Sequence, residues 1–145
     1  MMMKTLKQII HNKNIKKLLT IEPNRPVVDA LIIMAEYKIG ALIVMEKDKL
    51  IGIISERDYA REIVLEGQSS KSTLVKDIMT EKVLTLNQTD TFEKGLQIMT
   101  EKRIRHLPVL QNKKVIGIVS QGDLVKEMIE HQKWLIQQLE TFIQA

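Results

Sequence analysis

The chain contains no cysteine, which excludes disulfides and thiolate metal sites and leaves the redox compartment unmarked. Aromatic residues make up 3% of its 145 residues. That scarcity removes the stacking platforms on which single-stranded nucleic-acid binders depend. It also leaves Ile, Leu, Val and Met to build the core. His11, His106 and His131 stand at no spacing suited to a metal site. The longest apolar run, Ala30 to Ala35, is far short of the roughly 20 residues that a membrane helix requires. Met1-Met2-Met3-Lys4 opens a short, polar-interrupted stretch that does not read as a signal peptide. Together these absences point to a cytoplasmic protein with no membrane partner and no nucleic-acid module.

What is present is ordinary for a soluble fold, with 44% hydrophobic and 28% charged residues. The net charge of +4 favours anionic ligands in general. Lys13, Lys16 and Lys17 read as a solvated helix face.

The organising feature is a duplication. Lys49-Leu50-Ile51-Gly52-Ile53-Ile54-Ser55-Glu56-Arg57-Asp58 returns 65 residues later as Lys114-Val115-Ile116-Gly117-Ile118-Val119-Ser120-Gln121-Gly122-Asp123. The match runs without a gap from Leu18 against Val83 to Val64 against Ile129, and about a third of the pairs are identical. Within each repeat the pattern predicts a short strand, an amphipathic helix (27–40, 91–103), a strand (41–45, 105–110), a polar turn, a second strand (50–54, 115–119) and a helix from the serine onward. A short helix or turn within 6–19 precedes the first repeat, and the polar stretch 67–73 separates the two. The expected domains are 12–68, a linker at 69–76, 77–135 and a helical extension at 136–145.

A repeat of ~50 residues buries too little surface to be stable alone. Its wholly apolar strands call for cover on both faces. The fold class is therefore α+β, with two βαββα repeats packed as a pseudo-twofold pair and clefts at related positions. Met128, Trp134, Leu135, Leu139, Phe142 and Ile143 extend an apolar stripe beyond what a repeat needs. That stripe suits either the chain's own body or a second copy.

The repeated Ser-x-x-Asp has two readings. Serine at an N-cap with an acidic residue three positions on is a capping box, worth ~1 kcal/mol to a helix. An aspartate in the first turn of a helix can equally accept the two hydroxyls of a ribose, beside backbone N–H groups suited to phosphate. Gly52 and Gly117 would let a ligand or a neighbouring backbone come close.

The doubled Gly-bearing strand with Ser-x-x-Asp, together with Arg105-His106-Leu107-Pro108-Val109, resembles a tandem CBS-domain pair, or Bateman module, over residues 12–133. Ser55-Glu56-Arg57-Asp58-Tyr59-Ala60-Arg61, Gly67-Gln68-Ser69-Ser70-Lys71 and Asp77-Ile78-Met79-Thr80 resemble the stand-alone members of that family. The resemblance implies a non-enzymatic sensor of adenosine nucleotides, AMP first, with ADP, ATP or NAD(H) as alternatives. It further implies a homodimer that modulates a partner enzyme. Asp58 and Asp123 would take ribose hydroxyls, with Ser55 and Ser120 beside them. Adenine would meet the backbone at Ala41-Leu42 and at His106-Leu107-Pro108, near Thr20 and Thr85, with Gly40 and Met79 completing the set. Arg57, Arg105 and His106 are the phosphate candidates, followed by Arg61, Lys71 and Arg103. Arg57 faces Gly122 in the twin repeat and Arg105 faces Gly40, so the two sites should be unequal. The rival expectations are a constitutive interaction subunit with vestigial sites, and a hydrolase using His106.

Overall fold

A computed structural model describes residues 3–13 and 17–144. The chain divides into two compact units: residues 17–84, and residues 85 onward joined by the N-terminal segment that precedes residue 17.

The chain opens with α1 (Leu6–His11), which belongs to the second-repeat unit. The first-repeat unit contains β1 (Thr20–Ile21), α2 (Val27–Tyr37), β2 (Ala41–Glu46) and β3 (Lys49–Ser55), then α3 (Glu56–Asp58), a π-helix (Tyr59–Val64) and α4 (Val75–Ile78). β1 pairs parallel to β2, and β2 pairs antiparallel to β3. The β2–β3 turn places Lys47 and Asp48 at φ 50° and 64°, the backbone of a two-residue type I′ hairpin built without glycine. A bulge between Val44 and Met45 shifts the register, so Val44 faces Gly52 while Met45 faces Leu50.

Pro26, the N-cap of α2, supplies no side-chain cap. The first free N–H groups of the helix, on Val27 and Val28, donate instead to the carbonyls of Thr73 and Ser70 at 2.8 Å. The polar stretch 67–73 thus closes a helix end as well as connecting the repeats. Lys38 ends α2 in the left-handed region at φ 56°. The core joins Val27, Ala30 and Met34 of α2 to Leu42, Val44 and Ile54 of the sheet, and is completed by Val75 and Ile78 of α4.

The second-repeat unit has the same plan in β4 (Leu86–Asn87), α5 (Phe92–Lys102), β5 (His106–Gln111), β6 (Lys114–Ser120) and α6 (Gln121–Gln144). Its register, its bulge and its left-handed helix end at Arg103 all repeat those of the first. Phe92 and Met99 of α5 meet Leu107, Val109 and Val119 of the sheet, Leu124 of α6, and Leu6 and Ile9 of α1. The α+β class and the βαββα repeat therefore stand as the sequence predicts.

Two local expectations do not. The helix predicted from Ser55 onward is one α-turn followed by a π-helix, in which Leu65 N–H reaches back five residues to Ala60 O at 3.2 Å. Lys13 is no solvated lysine, since it ion-pairs with Asp123 at 2.8 Å, both side chains 24% exposed. Lys17 is exposed as expected, and Lys16 lies outside the described residues.

The segment before each repeat packs into the unit of the other. Val75 and Lys76 N–H donate to Arg25 O and Pro23 O, at 2.8 and 3.0 Å, in the first-repeat unit. Leu6 and Lys7 N–H make the matching bonds to Asp90 O and Gln88 O, at 2.8 and 3.0 Å, in the second.

Candidate functional site

In the first-repeat unit, Ser55 leaves β3 and caps α3. Its hydroxyl accepts from Asp58 N–H at 3.2 Å, while Asp58 Oδ2 accepts from Ser55 N–H at 2.9 Å and from the Ser55 hydroxyl at 3.0 Å. Both halves of a capping box are thus present. Asp58 is nonetheless buried, at 9% exposure. A carboxylate offers about four lone-pair positions, so the cap leaves it capacity for further donors.

Ala41 pairs with Ser55 across the sheet, and Gly40 O accepts from Glu56 N–H at 3.0 Å. Gly40, Ala41, Ser55 and Asp58 therefore meet at one end of the hairpin. Arg57 is exposed on α3. Met79 lies against Gly52, where an added Cβ would come within 2.6 Å of Met79 Sδ and 3.0 Å of Thr80 O. Thr80 bridges to Ile53, donating its N–H at 2.9 Å and accepting at 3.0 Å. The close approach that Gly52 permits is thus used by the chain itself. Leu42 is 1% exposed with its side chain in the core, so only its backbone could serve a ligand. Thr20 lies on β1 as the direct pairing partner of the buried Ile43 on β2.

The second-repeat unit repeats this end of the hairpin with different neighbours. Ser120 N–H donates to Asp123 Oδ2 at 2.8 Å, and Ser120 Oγ accepts from Asp123 N–H at 3.1 Å. His106 pairs with Ser120, and Arg105 O accepts from Gln121 N–H at 2.8 Å. His106, Ser120 and Asp123 thus come together beside the Arg105 backbone. Leu107 and Pro108 are buried, again leaving backbone groups for any ligand. Ile10 fills the space over Gly117, its Cδ1 lying 3.0 Å from an added Cβ. Arg103 terminates α5, and Thr85 lies half-buried just before β4. Arg61 and Lys71 are exposed in the first-repeat unit.

Lys13 is the functional candidate that the sequence reading passed over. Its ammonium donates to Ile118 O at 3.0 Å as well as to Asp123 Oδ2 at 2.8 Å. His106 registers the resulting electrostatics. Burial, then the Lys13 charge, hold its imidazole below the ordinary value; Asp123 pulls the other way and Arg105 adds to the lowering. A neutral imidazole therefore stands among Lys13, Arg105 and Asp123 at neutral pH.

The family model of the CBS domain matches residues 7–65 and 75–130. The chain is 44% identical over 124 residues to the mitochondrial CBS domain-containing protein CBSX3 of Arabidopsis thaliana, covering 82% of this chain and 60% of that protein. It is 33% identical over 113 residues to an uncharacterized protein of Methanopyrus kandleri, covering 77% of this chain and 58% of that one. The chain thus spans under two thirds of the length of either relative. A solved structure from Burkholderia ambifaria, described as a putative signal-transduction protein with CBS domains, is 45% identical. It superposes with a TM-score of 0.84 over 89% of this chain and 96% of its own. With both repeats matched by one model and the fold shared at this identity, the chain belongs to the CBS domain family.

Proposed function

We propose that this protein is a regulatory sensor that binds adenosine nucleotides at the hairpin end of each repeat and is not an enzyme. The observation that carries this is a carboxylate in the first helical turn after the hairpin, twice over: Asp58, buried, and Asp123, half-buried. Either can accept hydroxyls while its partner serine holds it in place. Backbone groups of Ala41-Leu42 and His106-Leu107-Pro108 supply the edges for adenine. Arg57, Arg105 and His106 are the phosphate-facing candidates, with AMP the expected ligand and ATP, ADP or NAD(H) its competitors. A CBS-domain pair of the same fold, 23% identical with a TM-score of 0.77, was solved with 5-methylthioadenosine and S-adenosyl-L-methionine. That complex supports an adenosyl ligand as the chemical class.

We assign the output to a partner enzyme and the assembly to a homodimer. Structural neighbours that are 28% identical include hexameric CBS-CP12 proteins, which supports self-association as a property of the fold family. Cytoplasm is the expected compartment, although the Arabidopsis relative is named as mitochondrial.

A second reading, a constitutive interaction subunit, is favoured by one feature of α6: Phe142 and Ile143 are each 80% exposed. Thermal melts with AMP, ATP, NAD and NADH separate the two. Ligand at 100 times its Kd adds ~2.7 kcal/mol, a shift of several degrees. A melting temperature unmoved by every one of these ligands would leave the interaction subunit as the function. Conversion of ATP on prolonged incubation, lost in His106→Ala, would make the protein a hydrolase.

A further inference from the structure

The two hairpin ends differ in one way that position-by-position comparison of the repeats does not reveal. The carbonyl of Ile53 accepts from a backbone N–H, that of Thr80 at 2.9 Å. The carbonyl of Ile118, its twin, accepts from the Lys13 ammonium at 3.0 Å, and the same ammonium lies 2.8 Å from Asp123. Asp58, by contrast, is held in its described bonds by Ser55. Lys82, which occupies the place of Lys13 in the other lead segment, is exposed.

Building on the nucleotide-binding reading above, we propose that Lys13 is a specificity-determining residue of the Asp123 site. It makes that site select an adenosine ligand with a negatively charged 5′ group over an uncharged nucleoside. Lys13 is half-buried and satisfied by two oxygens, so a ribose that claims Asp123 must share the carboxylate with the ammonium or displace it. A displaced ammonium in a half-buried site needs a new anion, because an unpaired charge there is costly. A phosphate supplies that anion, and a nucleoside does not.

The surroundings favour the same choice. Asp123 sits in the first turn of the 24-residue α6, whose N-terminus carries positive potential, and Arg105 and His106 stand close enough to Lys13 and Asp123 to share one electrostatic environment. The Asp58 site has Ala41 in the place of His106, so any preference for a charged ligand there falls to Arg57 instead of a half-buried lysine.

The test is calorimetric titration of the full chain carrying Asp58→Asn, which isolates the Asp123 site, with AMP and with adenosine. Lys13→Met, Lys13→Gln and Lys13→Arg are compared in that background. With Lys13 present, AMP should bind at least about tenfold tighter than adenosine, as one charge-assisted hydrogen bond suffices for. Lys13→Met and Lys13→Gln should each shrink that ratio about tenfold, with adenosine binding unchanged or tighter, and Lys13→Arg should preserve it. An AMP-to-adenosine ratio unchanged in both Lys13→Met and Lys13→Gln would overturn the role of Lys13 while leaving nucleotide binding intact. Absence of binding by AMP and adenosine in every variant and in the unmutated chain would overturn the nucleotide reading, and the role of Lys13 with it.

Discussion

Met79 lies so close over Gly52 that a Cβ at residue 52 would sit 2.6 Å from its sulfur. Ile10 holds the same place over Gly117, at 3.0 Å. Each glycine is therefore the seat of a lead segment. Gly52→Ala and Gly117→Ala should each destabilise the protein by ~1–3 kcal/mol, the usual range for overpacking. Because Ile10 contributes the nearest atoms at Gly117, Ile10→Ala should recover part of the Gly117→Ala loss. A double-mutant cycle on thermal melts measures this, and additive losses would mean that Ile10 is not the obstacle.

Asp58→Ala and Asp123→Ala remove a cap as well as a candidate ribose acceptor. The cap alone predicts ~1 kcal/mol of lost stability in each. Nucleotide titration should show more than that, with affinity falling in both variants and by unequal factors. Unchanged affinity in both would leave the two aspartates as helix caps.

His106 predicts a pH dependence. Its folded-state pKa is depressed, chiefly by burial and by Lys13, so the unfolded chain takes up the proton first as pH falls. The contribution of His106 to stability is thus full above its ordinary value of 6.5 and is lost as pH drops from there through the lower folded value. Urea melts between pH 7.5 and pH 5 should show a steeper decline for the wild-type chain than for His106→Gln. The difference between the two profiles isolates this residue from the other titrating groups.

The end of α6 predicts the assembly. Leu139, Phe142 and Ile143 are 61%, 80% and 80% exposed. If a second copy covers this stripe, Leu139→Glu combined with Phe142→Glu should convert a dimer to a monomer in sedimentation. Stability at low protein concentration should change little. A dimer that survives both charges would place the interface elsewhere.

The duplication makes most of the fold legible, because central core positions of one repeat recur in its twin: Leu42 and Leu107, Val44 and Val109, Met34 and Met99. The same comparison located Asp58 and Asp123. It missed Lys13, since at an offset of 65 residues the lead segments fall out of register. A second offset of 69 pairs Leu6 with Val75, Ile9 with Ile78 and Ile10 with Met79, and this apolar spacing was the available signal. The π-helix at 59–64 had none, for its apolar residues Tyr59, Ile63 and Val64 suit an α-helix equally well.

The exchange of lead segments also bears on ancestry. A gene cut between the repeats would encode two fragments, each carrying the strap that finishes the other's core. A single-repeat ancestor that traded straps with an identical chain, as a domain-swapped homodimer, would have met the same need. Fusion of two such genes would then have turned an intermolecular exchange into an intramolecular one. It would also have released the two copies to diverge, so that a strap residue such as Lys13 could acquire a task in one half alone.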